Sequence, residues 1–206
     1  MKKRLAFLLL IFISILFSCG QRDPNKQIVD GSIKGDFYTS SDIGWTIEIP
    51  KGWRIMSKDK ITKDHKKAME SIESTVQTEI DISTFKQLVN FQKDQFNIFN
   101  SNSEAFKIEY DGEWEDNYRN NIQILYETYL DQGFNVDTSS TFVRIDNLKF
   151  NVFKIKLYDP KGNVILYQDM YTRLINGFQM GVVISYNNDI DKRTMMKVWQ
   201  NSKFSK

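Results

Sequence analysis

One cysteine, one histidine and three prolines occur in 206 residues, and each scarcity excludes something. A lone thiol, Cys19, allows no internal disulfide, so the fold stands on its core alone. The lone histidine, His65, sits in Lys63-Asp64-His65-Lys66-Lys67, where the lysines oppose a bound cation. A catalytic imidazole needs an orienting acid and a nucleophile, and a zinc site several ligands, so His65 reads as a solvated surface residue. The chain has no Gly-x-Ser-x-Gly elbow, glycine-rich phosphate loop, His-Glu-x-x-His or Cys-x-x-Cys. Ser83-Thr84-Phe85-Lys86 has the spacing of a Ser-x-x-Lys hydrolase, but its place at an expected helix start reads as capping. No basic stripe runs along the chain, which argues against nucleic acid as a partner. Internal repeats and low-complexity runs are also missing.

Long apolar runs are nearly absent too, and the exception is informative. Lys2, Lys3 and Arg4 precede the stretch Leu5 to Phe17, which only Ser14 interrupts. Thirteen residues form a helix of roughly 20 Å, short of the ~30 Å hydrocarbon core, so the stretch fits a cleaved signal better than a membrane span. Leu16-Phe17-Ser18-Cys19 resembles the lipobox of bacterial lipoprotein precursors. That resemblance implies cleavage after residue 18 and a diacylglyceryl thioether on Cys19, with at least two acyl chains for stable anchoring. Gly20 follows the cysteine where enteric inner-membrane lipoproteins carry Asp, so the expected address is the outer membrane. Gln21-Arg22-Asp23 resembles the charged export tags of Bacteroidota surface lipoproteins.

Removing residues 1–18 takes three of the 28 basic residues and none of the 26 acidic ones, leaving 25 against 26 and a formal net charge of −1. Residues 19–36, polar and carrying Pro24, Gly31 and Gly35, read as a flexible tether. Fully extended, it would span at most ~60 Å. Residues 37–206 then form one domain.

Trp45, Ile47 and Ile49 alternate with Thr46 and Glu48 as a strand with one buried face, ended by Pro50. Trp53 begins a second short strand. Ala68, Ile72, Val76 and Ile80 form a narrow helical stripe. Thr84 and Gln87 match a capping box, predicting a helix that carries Phe85, Leu88, Val89, Phe96 and Phe99 inward. Ala105 to Tyr110 reads as a strand, and Asp116 to Leu130 as a helix with Ile122, Leu125, Tyr126 and Tyr129 on its apolar face. Segments 141–146, 149–158, 163–175 and 178–186 are rich in Val, Ile, Phe and Tyr. Asp146-Asn147, Asp159-Pro160-Lys161-Gly162 and Asn176-Gly177 separate them, predicting a four-stranded antiparallel meander. A last helix opens at Asp189 as N-cap and carries Met195, Met196, Trp199 and Phe204 toward the sheet. The expected class is α+β, one antiparallel sheet of about six to seven strands with helices packed on it.

The opening Gly44-Trp45-Thr46-Ile47-Glu48-Ile49-Pro50-Lys51-Gly52-Trp53 resembles the start of PsbP-like domains, as does the ending from Tyr186 through Ser202-Lys203-Phe204. The resemblance implies the Mog-type fold, a mostly antiparallel sheet sandwiched by helices. It also implies a binding or assembly module rather than an enzyme. Residues 60–135 depart from the plant protein, so its metal site and docking residues do not carry over.

Two local features remain as candidates. Asp111, Glu113, Glu115 and Asp116 concentrate four carboxylates in six residues, as oxygen-rich Ca²⁺ loops do, although the spacing is not that of an EF-hand and acids suit a helix entrance. Most aromatics must be core in a sheet domain without disulfides, and incidental exposure of a few is the favoured reading; Trp53, Tyr110 and Trp114 are the candidates for meeting a partner or ligand, because exposed Trp and Tyr mark interfaces and sugar platforms. The expectation is therefore a lipid-anchored envelope protein without cofactor that binds a protein partner. A glycan or small-ligand binder is the alternative, and an enzyme has the least support.

Overall fold

The computed structural model describes residues 24–28, 30–77 and 84–205. The signal segment 1–18, Cys19 and the export-tag residues lie outside them. Twelve strands are present: β1 Ser32–Lys34, β2 Phe37–Ser40, β3 Trp45–Glu48, β4 Arg54–Ile55, β5 Phe85–Gln87, β6 Phe91–Gln92, β7 Ile98–Ala105, β8 Asn135–Ile145, β9 Leu148–Tyr158, β10 Val164–Ile175, β11 Phe178–Tyr186 and β12 Lys203–Phe204. Three α-helices accompany them, α1 Lys58–Val76, α2 Glu113–Asp131 and α3 Asp189–Gln200, with a 3-10 turn at Pro24–Gln27. The mixed α+β class agrees with the sequence. The single sheet does not: a four-stranded sheet runs β1-β2-β3-β12, and a second runs β4-β6-β7-β11-β10-β9-β8, with β5 pairing separately to β7.

The expected meander is β8 to β11, antiparallel throughout and in that order. Its turns follow from residue chemistry. Asp146 and Asn147 take φ of 46° and 66°, and Asn176 and Gly177 take 51° and 78°. Two successive positive φ values make the turn whose twist matches the strands it joins. Asp159 closes the remaining loop by accepting from the Lys161 and Asn163 amides at 2.9 and 2.8 Å.

Side-chain alternation gives the large sheet two buried faces. Phe150 and Val152 of β9, Tyr171 of β10, and Met180, Val182 and Ile184 of β11 meet Trp45 and Ile47 of β3 and Met195, Val198 and Trp199 of α3. Phe153, Ile155 and Leu157 point the other way and pack under Ile122, Leu125 and Tyr129 of α2. Along β9 the front core therefore occupies the 150–152 end and the back core the 153–157 end. The back face at the 149–151 end carries polar side chains instead. Burial of the Tyr129 phenol beneath α2 pushes its pKa up to about 12.

Several expectations need correction. The tether expected over 19–36 is folded in its later part: Ile28 and Ile33 are buried in the front core and β1 pairs with β2, so the domain begins before residue 37. The helix expected from Thr84 is three strands, β5 to β7. Thr84 does not cap; its hydroxyl donates to Glu104 Oε1 at 3.3 Å, and Lys86 pairs with Asp42 at 3.0 Å. Asp94 starts a turn instead, its Oδ1 accepting from the amides of Phe96 and Asn97. The strand expected over 105–110 ends at Ala105, because β7 occupies 98–105. Helix α1 starts earlier than its stripe suggested, at Lys58, with the Ser57 hydroxyl accepting from the Lys60 amide. Ile80 lies outside the described residues. The last helix is capped by Asn188 rather than Asp189, and Phe204 belongs to β12, its amide donating to Asp146 Oδ2 at 2.8 Å.

Candidate functional site

The sequence candidates separate in space. Trp53 is a core residue, 9% exposed, with its ring edge-on to Phe91 at 5.9 Å, so it meets no partner. The hydrophobic neighbours come from β6 and from Leu88-Val89, which the expected helix would have placed elsewhere. Tyr110 is 56% exposed and Ile108 51%, on the irregular segment between β7 and α2. Trp114, in the first turn of α2, is half-buried and stacked on Tyr118 at 6.1 Å.

Trp114 lines a groove of about 390 Å³ with Ile108, Glu115, Lys149, Asn151, Arg173 and Leu174. Ile108 and Leu174 also wall a neighbouring depression of about 580 Å³ along Ala105 to Ile108. The two depressions share Ile108 and Leu174, and the groove also takes Trp114 and Glu115 from the start of α2. A smaller cavity of about 170 Å³ lies deeper between α2 and the sheet, beside Asn102, Tyr118, Thr172 and Gln179. There the Asn117 amide donates to Gln179 Oε1 at 3.1 Å.

The acidic run does not assemble into a cation loop. Glu113 accepts from the Glu109 amide at 2.5 Å, Asp116 pairs with Arg119 one helical turn on, and Glu115 faces the groove. Among the described residues no group of three or more His, Cys, Asp or Glu side chains is placed to hold a metal. Glu113, Glu115 and Asp116 instead occupy the first turn of α2, where the helix dipole favours negative charge, and Asp111 lies just before it. His65 is on α1, stacked against Phe85 at 4.4 Å, and its partial burial lowers its pKa.

A second polar cluster bears on catalysis. Asp169 and Tyr171 of β10, Tyr186 of β11, Lys154 of β9 and Lys192 of α3 interact electrostatically on the front face. Asp169 is 5% exposed and Tyr171 2%, while Lys154 is exposed and Lys192 half-buried. Burial pushes the Asp169 carboxyl above its ordinary range, against the pull of Lys154 and Lys192. A carboxyl whose folded pKa is raised binds its proton more tightly in the native state. Its contribution is therefore fully present below the unfolded value of 3.8 and is lost as pH rises through the raised one. Asp169→Asn should then gain on the wild type as pH climbs from 4 toward neutrality. Urea midpoints across that range check this; a constant difference between the two proteins would refute it.

No family model matches the sequence, and no curated protein does. Among solved structures, the solution structure of cyanobacterial PsbP (CyanoP) from Synechocystis sp. PCC 6803 aligns with a TM-score of 0.53 and 11% identity, covering 85% of this chain and 98% of that one. The fold is PsbP-like. At that identity the likeness concerns the path of the backbone, and the groove residues are this chain's own. Of the aromatics singled out in the sequence, Trp114 lines the groove and Tyr110 lies exposed outside its lining, and nothing in the sequence pointed to Ile108, Lys149, Arg173 or Leu174 there. Leu174 and Arg173 sat inside an expected strand, where an alternating pattern does not distinguish a covered from an open end of a sheet. Among the described residues no helix is long and apolar enough to cross a membrane.

Proposed function

We propose that this chain is a lipid-anchored cell-envelope protein whose PsbP-like domain is non-catalytic and binds a protein partner or supports assembly of a membrane complex. Cys19 holds the lipid, and the address is the outer membrane. What carries the reading is the exposed surface formed by Ile108 and Tyr110 beside the Trp114 groove. Projecting apolar side chains around a wet rim suit a protein partner, because aromatic anchors supply most interface energy. The burial of Asp169 and Tyr171 adds to the case against catalysis.

A photo-crosslinking residue at Tyr110 should capture a defined partner in intact envelopes, and the same residue at Ile190, exposed on α3, should not. Equal labelling from both positions would sink the reading. Cys19→Ala should abolish acyl labelling and membrane retention; retention without it would remove the anchor from the proposal. One observation favours a glycan or small-ligand role instead: Trp114 with Lys149, Asn151 and Arg173 makes an aromatic wall with a polar rim. A specific glycan-array signal lost in Trp114→Ala would support that alternative.

A further inference from the structure

Among the described residues, a set of cations without carboxylate partners lies at the groove: Lys149 and Arg173 line it, and Arg144 sits beside them, its Nη1 donating to the Asn147 carbonyl at 3.3 Å. The two-residue turn at 146–147 sets Arg144 directly across from Lys149 on neighbouring strands. Like charges in that position repel. Both side chains are exposed, and Lys149 Nζ lies 4.6 Å from the centre of the Phe142 ring. Arg173 joins them: its Nη1 donates to the Lys149 carbonyl at 2.6 Å, while its Nε is buried without an acceptor. Burial and the nearby Arg144 both disfavour the Arg173 charge. The ion pairs among the described residues lie elsewhere, at Lys60, Lys66, Lys86, Arg119 and Lys203. Glu115 shares the groove but pairs with none of the three cations. A second buried donor without an acceptor, the Trp114 indole Nε1, belongs to another residue of the same groove. Lys107 adds a further cation along the Ile108 wall.

We propose that the groove binds an extended acidic peptide segment, its carboxylates set among Arg144, Lys149 and Arg173 and its apolar side chains against Ile108, Trp114 and Leu174. This names the partner's chemistry at the surface proposed above and rests on that reading. Charge complementarity selects an anion, since the cations have no carboxylate of their own. Shape selects a peptide. Ile108, Trp114 and Leu174 line the groove together with Lys149 and Arg173, a mixture that the alternating side chains of an extended acidic and apolar segment would match.

The test uses the purified protein and a fluorescent peptide alternating glutamate with leucine, read by anisotropy. Binding should weaken with salt, and Lys149→Glu should weaken it about tenfold or more. Lys161→Glu, the same charge change at the other end of β9, should leave binding unchanged. Thermal stability provides a separate readout, because Lys149→Glu removes a like-charge opposition and should hold or raise the melting temperature. Weakened binding with an intact or raised melting temperature supports the proposal. A peptide with glutamine for glutamate binding equally well would overturn it, as would equal losses in the two lysine variants. Binding of phosphatidylglycerol vesicles with none of the peptide would overturn it in favour of a lipid surface. If the Tyr110 cross-link finds no partner yet peptide binding depends on Lys149, the assembly reading fails and the groove chemistry stands.

Discussion

Trp199→Ala should cost about 3–5 kcal/mol of stability, the range for deleting a buried large aromatic side chain. Domains of this size have about 5–15 kcal/mol in all, so the loss would be a third or more of the stability over much of that range. Trp199 is fully buried on α3, and its ring meets Trp45 at 6.1 Å, Phe99 at 6.2 Å, Phe150 at 5.2 Å and Tyr171 at 5.5 Å. Those neighbours come from both sheets, so one side chain fills the space where three layers converge. Its indole Nε1 has no hydrogen-bond acceptor, as is also true of Trp45. Trp199→Phe therefore forfeits volume but no polar contact and should cost distinctly less than Trp199→Ala. Urea unfolding followed by near-ultraviolet circular dichroism gives both values. A loss under about 1 kcal/mol for the alanine variant would mean the two sheets hold together without this residue.

Gly44→Ala should be strongly destabilising and should loosen the C-terminal strand. Gly44 has a φ of +70°, and a Cβ there would sit 2.2 Å from the Ser205 carbonyl oxygen. The same glycine accepts from the Ser205 amide at 2.7 Å, the bond that extends the pairing of β12 with β3. A positive φ alone costs about 1–3 kcal/mol for a side-chain-bearing residue, and the clash displaces the C-terminal strand besides. Gly35→Ala is the control, because Gly35 has a φ of +59° with nothing near its missing Cβ. The expected result is faster amide exchange at Phe204 and Ser205 in Gly44→Ala and native rates there in Gly35→Ala. Equal exchange in the two variants would show that the close approach to Ser205 does not matter.

The parts of the fold legible in the sequence were those where one face is apolar and the turns carry their own chemistry. Strands β8 to β11 qualify, with Asp146-Asn147 and Asn176-Gly177 between them. So does α2, whose Ile122, Leu125 and Tyr129 do cover the back core. Strand β7 escaped because its inward residues are Ser101 and Ser103, buried yet polar, alternating with Asn100 and Asn102. Ser101 is tied in by its surroundings: its Oγ donates to the Val89 carbonyl and its amide donates to Asn90 Oδ1 at 2.6 Å, whereas the buried Ser103 Oγ has no partner among the described residues. Those partners lie at the far end of a turn, and apolar periodicity cannot reveal them. The letters Thr-Phe-Lys-Gln then satisfied a capping pattern in the wrong context, since Phe85 pairs across to Glu104 instead of starting a helix. The candidate site was half visible for a related reason. Exposed aromatics announce themselves, but the cations gather only when the β8–β9 register is followed residue by residue.

The small sheet takes three strands from residues 32–48 and its fourth from residues 203–204. During synthesis the first three strands emerge long before the fourth exists, together with the α3 side chains that complete their core. The front layer is thus a latch that closes last, with its earliest strands waiting on nearly the whole chain. Contacts of such wide sequence separation slow folding. Any machinery that threads the chain from its N-terminus would meet it before the latch has shut.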